Sequence, residues 1–256
     1  MCAMLVHAAR DLGHTERALM YERTALLCAE RAGHPGLHVI VGTEQAATAY
    51  WMARYTDSIR YTEHAQQHAD HVHGSIAALP SVQQARAYAA IGDVDHARAA
   101  LATSHHIRER IRTDDLDEIG GLMRLSHPEQ LGIIAGTAAW LPNLAEAERA
   151  AVDAVTAYTN APYADRSHNS HAIARADLAL AHIRQHELDG ARQALQPLLA
   201  IPPQHRVLPI RAGAHRLSTA LRTDPAYHRS PQARDLTATI NAYTHDSTQA
   251  ALLDYS

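Results

Sequence analysis

Small and apolar residues along this chain recur every three or four positions, and strict alternation of apolar and polar residues is rare. That period predicts helices almost throughout and almost no strand. Glycine, proline and polar clusters interrupt the pattern at intervals that leave the helices in pairs. Residues 84–101, QARAYAAIGDVDHARAAL, show the unit: two antiparallel helices meeting at Gly92-Asp93. Alanines fall where the two helices touch, which permits close approach at no cost in helix propensity.

The same reading places helices at 4–12 and 15–32 around Gly13-His14, with Thr15 as an N-cap. Further pairs fall at 37–53 with 57–72, 80–91 with 94–111, 128–140 with 144–158, and 170–184 with 187–199. A last pair, 206–221 and 230–243, starts its second helix at Ser230-Pro231. Together these make one repeat domain over 1–256. Its hairpins lie at about 1–33, 36–74, 79–111, 127–160 and 168–200, with a capping pair at 205–244. The tail, 245–256, is expected to fray. One small residue in each second helix aligns the hairpins: Ala18, Ser58, Ala97, Ala147 and Ala191, spaced 40, 39, 50 and 44 residues apart. These are periods of a helical solenoid, longer than the roughly 34 of a tetratricopeptide repeat. The stretch 112–126 breaks the rhythm. Its acidic cluster Asp114, Asp115, Asp117 and Glu118 reads as a solvated, mobile loop, or as a lid over a groove.

The predicted fold is therefore all-α, a right-handed superhelix of antiparallel helical hairpins. With 46% hydrophobic residues in 256, the chain can bury a sizeable core even though it contains no Phe. A net charge of −4 provides no basic field for nucleic acid. Cys2 and Cys28 are too few for a disulfide framework, which suits a reduced, cytoplasmic compartment. Cys28, among Leu26, Leu27 and Ala29, is expected in the core. No apolar run approaches the roughly 20 residues that span a membrane, and the first residues lack the features of a secretory leader.

Gly92-Asp93-Val94-Asp95-His96-Ala97, with Ala85 and Tyr88 upstream, resembles the tetratricopeptide hairpin. Glu187-Leu188-Asp189-Gly190-Ala191 is similar, with His186 in place of the turn glycine. Residues 114–158, with GGLMRLSHPEQLGIIAG and WLPNLAEAERAAVDAV, and 174–203, ARADLALAHIRQHELDGARQALQPLLAIPP, resemble a larger assembly. That is the C-terminal tetratricopeptide-like region of actinobacterial helix-turn-helix (XRE-type) transcriptional regulators. The similarity covers most of the chain and is best over 84–236. It implies a domain that senses a ligand, peptide or partner protein, linked to regulation of specialised metabolism. Those regulators carry an N-terminal DNA-binding domain, whereas this sequence starts within the repeats, so it is expected to contact no nucleic acid itself.

In such an array the first helix of each pair lines a concave groove. Counting from the turns puts His7, Arg10, Asp11, Thr43, Ala47, Tyr50 and Trp51 there, with Val82, Arg86 and Ala89. Gly132, Gly136, Trp140, Ala176, Leu180, Ile183 and Arg184 follow, and Arg211 and His215 close the end. The candidate ligand-binding set is His7, Arg10, Asp11, Thr43, Tyr50, Trp51, Arg86, Trp140 and Arg184. Tryptophan beside arginine favours aromatic or anionic ligands through stacking, cation–π contact and forked hydrogen bonds. Gap-filling between helices is the other reading of both tryptophans. Gly132 and Gly136 would let a ligand approach the helix backbone.

Of the 20 histidines, His64, His68 and His71 share one helix face at i, i+4 and i+7. That spacing can hold a metal, but the face is expected to be solvated; His182 with His186, and His168 with His171, are read the same way. No metal and no cofactor is expected. HExxH, GxxxxGK[ST], GxGxxG and GxSxG motifs do not occur. Three functional readings stand open. The first, favoured, is a non-catalytic module holding a small molecule, peptide or partner, with homodimers formed through a terminal hairpin. The second is a regulator-derived scaffold recruited as a biosynthetic enzyme, using acid–base groups such as His7, Asp11, Tyr50 or His215. The third is a DNA-binding regulator shorn of its N-terminal domain.

Overall fold

The joints between paired helices are nearly identical in backbone geometry. Gly13, Ala53, Gly92 and His186 all adopt positive φ, at 81°, 57°, 82° and 64°. At each, the N–H of the following residue reaches back to the carbonyl five positions earlier: His14 to Ala9, Arg54 to Ala49, Asp93 to Tyr88 and Glu187 to His182, at 2.8–3.0 Å. This is the Schellman ending, which satisfies carbonyls that the helix leaves unpaired. The residue after each left-handed position caps the next helix. The small residue that aligns the repeats lies four residues after that cap. Ala18, Ser58, Ala97 and Ala191 are all buried to within 1% of full burial. Ala147 is placed the same way after Asn143, although its turn, Leu141-Pro142-Asn143, has no left-handed residue.

The structure, a computed structural model, describes residues 1–253, with side chains as far as 246. It is about 80% helix, with no strand among the described residues. The helices are α1 (Cys2–Asp11), α2 (Thr15–Ala32), α3 (Pro35–Trp51), α4 (Tyr55–Ala69), α5 (Leu79–Ala90) and α6 (Val94–Arg108). After the irregular stretch with the short α7 (Asp115–Ile119) come α8 (His127–Ala138), α9 (Leu144–Asn160), α10 (His168–Arg184) and α11 (Leu188–Leu199). Helices α12 (Leu208–Thr223) and α13 (Pro231–Leu253) complete the chain. Each expected pair packs together: α1 on α2, α3 on α4, α5 on α6, α8 on α9, α10 on α11 and α12 on α13.

First helices also pack on one another, in the order α1, α3, α5, α8, α10, α12, and α12 comes back to touch α1 and α3. Those inside the row are covered on most sides, whereas α1, at its end, leaves Met4 and Leu5 exposed. In α3 almost every residue from Val39 to Tyr50 is buried, and in α10 the run from Ala176 to Ile183 is interrupted only by Leu178 and His182. Second helices show one apolar stripe; α9 buries Ala147, Ala151, Ala154 and Tyr158 and exposes the rest in part or fully. This all-round cover corrects part of the expected inner surface. Val82, Ala89, Ala176, Leu180 and Ile183 are core residues, at most 8% exposed.

Other expectations also change. His14, not Thr15, occupies the cap position of α2. Cys28 is exposed, because Ala25 and Ala29 carry the buried stripe of α2 and Cys28 falls beside it. Helix α13 continues to Leu253, past the end expected at 243; residues 254–256 lie outside the described part. The acidic cluster is not simply solvated. Asp114 accepts hydrogen bonds from the backbone of Gly74, Leu116 and Asp117, and Asp117 accepts from Ser75. Asp115 and Glu118 do face solvent. Leu116 is buried against Val39, Ile40 and Ile76, so this stretch is pinned to the second hairpin. Ser230 caps α13 as expected, accepting from the Ala233 N–H at 3.2 Å.

The turn geometry predicts opposite effects at equivalent positions. Ala53→Gly relieves a left-handed alanine and raises the unfolding free energy by about 1 kcal/mol, whereas Gly92→Ala lowers it by about the same amount. No atom lies within 4 Å of a Cβ at Gly92, so backbone strain alone is tested there. Urea unfolding followed by circular dichroism measures both.

Candidate functional site

The first helices border a half-open cavity of about 460 Å³. Its walls come from α1, α3, α5, α8 and α10, with Pro209 of α12 and two connections, one carrying Gly121 to Ser126 and the other Ala164 to Ser167. The lining is charged at more positions than a plain apolar pocket.

One end is built by α1 and α3. Arg10 is buried, donating from Nη1 to Glu44 Oε2 at 2.9 Å and from Nε and Nη2 to Asp11 Oδ1 at 3.1 and 3.0 Å. Glu44 is buried as well, and Arg10 and His7 hold its carboxyl below the usual range against the opposing effect of burial. His7 Nδ1 lies 2.9 Å from Arg10 Nη2 and 3.3 Å from Glu44 Oε2. It can accept from the first or donate to the second, not both. Burial lowers the His7 pKa, but the Glu44 carboxylate outweighs burial and the net direction is upward. Protonation would therefore swap the arginine contact for the glutamate one.

Glu129, in the first turn of α8, faces the same cavity. Its side chain has no hydrogen-bond or ion-pair partner among the described residues; only its backbone N–H is engaged, by Ser126. Burial, reinforced by the nearby charge of Glu44, pushes its carboxyl up to about 7.

The other end is aromatic and cationic. Arg86 of α5, 6% exposed, stacks its guanidinium on Tyr50 at 4.0 Å and near Trp51 at 5.1 Å. Its Nη2 donates to Gln83, its Nε has no partner, and no carboxylate lies within ion-pair distance among the described residues. Burial lowers its pKa. Behind it, Arg216 of α12 pairs with the buried Asp177 of α10 at 2.8 Å. Trp140 donates from its indole to the Tyr50 hydroxyl at 3.0 Å and lies edge-on to Tyr55 at 6.1 Å, so Tyr50, Trp51, Tyr55 and Trp140 form one cluster.

The candidate residues thus separate by location. His7, Arg10, Asp11, Trp51 and Arg86 line the cavity. Thr43 is buried and donates to the carbonyls of Val39 and Ile40 within its own helix. Tyr50 is buried behind the wall, and Trp140, in the same aromatic cluster, is exposed and does not line the cavity. Arg184 is spent on the Ala139 carbonyl at 2.7 Å. Gly132 also lines the cavity, beside Tyr158, whose hydroxyl would lie 3.1 Å from a Cβ there; Gly136 instead packs against protein, a Cβ there meeting the Asp177 carboxylate and Arg86 Cδ at 3.4 and 3.5 Å. Arg211 reaches the α1–α2 turn, 3.1 Å from where a Cβ on Gly13 would be, while His215 is exposed.

Sequence reasoning passed over Glu44, Glu129, Asp177 and Arg216. For the first two a signal was present. Glu44 is the only carboxylate between Pro35 and Trp51, and Glu129 lies three residues before Gly132 on the stripe that Gly132, Gly136 and Trp140 define.

The histidine face behaves differently. His64 and His71 are exposed, and half-buried His68 stacks on His38 at 4.3 Å. Glu148, His182 and Glu187 bring their ligand atoms within 4.8 Å of one another, a spacing that could hold a cation. Protein groups already serve them: His182 Nδ1 lies 3.0 Å from Glu187, and Gln185 donates to Glu148 at 3.0 Å. His186 turns away at the left-handed position, onto Tyr227.

No protein-family model matches this chain, and no curated protein matches it in sequence.

The Glu129 carboxyl has a sign that can be measured. Between about 4.5 and 7 it holds a proton in the folded protein that the unfolded chain has released. Stability therefore falls as pH rises through that window. Glu129→Gln removes the loss, raising stability near pH 8 by about 1–3 kcal/mol and changing it little near pH 4.5. Thermal unfolding of the two proteins across pH reads the difference.

Proposed function

We propose that this protein is a non-catalytic binding module of the tetratricopeptide-like kind. On this reading the hairpins form a right-handed superhelix whose inner helices hold a small molecule or the end of a peptide. The observation that carries it is the cavity itself. Its volume of about 460 Å³ falls within the roughly 300–1,000 Å³ of small-molecule sites, and Arg86 and Glu129 border it with no ion-pair partner among the described residues. A folded partner would need an open groove, and the return of α12 onto α1 and α3 favours a smaller occupant. The repeated Schellman turns and buried small residues support the tetratricopeptide-like class. A link to regulation of specialised metabolism rests on the sequence resemblance alone. Exposed Met4, Leu5, Leu12, Met20 and Leu27 concentrate on the first hairpin, where pairing of two copies would cover them.

An enzymatic reading has one observation in its favour. A carboxyl with a pKa of about 7 facing a cavity has the properties of a general acid or base. Turnover of a bound compound that stops in Glu129→Gln would establish that reading over simple binding.

Native mass spectrometry of the purified protein tests the main proposal. A compound of a few hundred daltons is expected to travel with the chain and to be lost on denaturation. Adding that compound back raises the Tm of the stripped protein, and Trp51→Ala or Arg86→Gln abolishes at least about 1.4 kcal/mol of that stabilisation, a tenfold loss of affinity. The same spectra report dimer formation. A chain that arrives empty and gains no stability from a metabolite extract removes the proposal.

A further inference from the structure

We infer that the cavity selects a zwitterion, docking its anionic group on Arg86 beside Tyr50 and Trp51 and its cationic group on Glu129. The inference rests on the binding role proposed above and names the chemistry of the occupant.

The positive pole stands on unbalanced buried charge. Arg86 and Arg216 are two guanidinium groups near one carboxylate, Asp177, whose Oδ1 takes Arg216 at 2.8 Å; Oδ2 is buried without a hydrogen bond, and its charge reaches Arg86 only at longer range. Charges as deep as Arg86 are normally paired. A planar guanidinium stacked on an aromatic ring still offers its edge to a carboxylate or phosphate. Gln83 occupies only one nitrogen of that edge.

The negative pole has the opposite imbalance. Asp11, Glu44 and Glu129 line the cavity together with Arg10, Arg124 and Arg166. Arg10 is consumed by Glu44 and Asp11, Arg124 pairs with Asp165, and Arg166 donates from Nε to the Ala161 carbonyl. Glu129 is left with no ion-pair partner, although the charges of Arg10 and Arg108 reach it.

Helix α8 spaces the two poles. Arg86 Cδ lies 3.5 Å from the Cβ position of Gly136, and Glu129 is seven residues earlier. At 1.5 Å per residue the poles are about 10 Å apart along the helix. Between them the wall presents Ile133 and Ala47, apolar side chains suited to a hydrocarbon or short peptide backbone. A simple anion would satisfy Arg86 and leave Glu129 unmatched. A simple amine would leave Arg86 unmatched. A molecule about 10 Å long with opposite charges at its ends matches both, and an ω-amino acid or a short peptide has that form.

Isothermal titration calorimetry with 8-aminooctanoate, octanoate and octylamine tests this on the stripped protein. The zwitterion is expected to bind at least about tenfold more tightly than either singly charged compound. Arg86→Gln abolishes its binding. Because removing Arg86 also alters the aromatic stack, Glu129→Gln is the second variant: it keeps octanoate binding or improves it, and cuts the preference for 8-aminooctanoate to less than about threefold. Octanoate binding as tightly as 8-aminooctanoate, or a preference unchanged in Glu129→Gln, overturns the inference. If none of the three binds while native mass spectrometry shows a co-purified compound, the inference falls and the binding role stands. If no compound co-purifies either, both fall.

Discussion

Close contact between paired helices, set by one small residue four positions after each cap, governs the rest of the structure. Ala18, Ser58, Ala97, Ala147 and Ala191 sit where a larger side chain would force the helices apart. The left-handed turn residue before most of those caps fixes the direction in which the second helix leaves. With the pair held this way, each first helix is covered by its own partner and by its neighbours in the row. Alanine-rich first helices tolerate that crowding because little side-chain volume has to be accommodated. The row then turns back on itself, and α12 reaches α1 and α3.

Enclosure changes what the inner polar residues mean. A charge on an open groove is solvated and weakly coupled to its neighbours. Inside this ring the same residues lose water and must find partners. Arg10 with Glu44 and Asp11, and Arg216 with Asp177, are the resulting pairs. Such pairs add little net stability, since burying the ions costs about as much as their attraction returns. They do set where side chains stand. Trp140 and Tyr50, 90 residues apart, are joined by a hydrogen bond in this layer. Arg86 and Glu129 are the charges left over, and both border the cavity that protein atoms leave unfilled.

The helical content and the pairing were legible because periodicity, breakers and turn chemistry act locally. His186 aligns with the turn glycine Gly92 on sequence pattern alone, and its φ of 64° shows that the backbone is the same there. Cys28 was misplaced because a helix stripe three residues wide leaves neighbours of buried alanines exposed. The acidic loop was misread for a different reason: the backbone N–H groups that Asp114 and Asp117 satisfy belong to Gly74 and Ser75, about 40 residues away. No local pattern reports such a partner. The site was half legible. Periodicity placed His7, Arg10, Asp11, Trp51 and Arg86 toward the inside, but it could not show that α12 comes back onto α1 and α3. Packing among the first helices sends Thr43 and Tyr50 into the wall and leaves Glu129 beside the cavity without an ion-pair partner.

The distinction between holding and transforming a molecule turns on the same packing. Glu129 has the acidity of a catalytic carboxyl, yet acidity follows here from burial and from Glu44, and any carboxyl placed there would acquire it. Catalysis needs in addition a second group aimed at the reacting atom. His7 is the nearest candidate in kind, but its Nδ1 is engaged by either Arg10 or Glu44, and its Nε2 faces Asp11 at 3.6 Å. An imidazole held on both sides by charged protein groups is arranged to respond to charge entering the cavity more than to exchange protons with it. The geometry thus favours recognition: two groups without ion-pair partners border one half-open cavity, and a bound molecule can supply what each lacks.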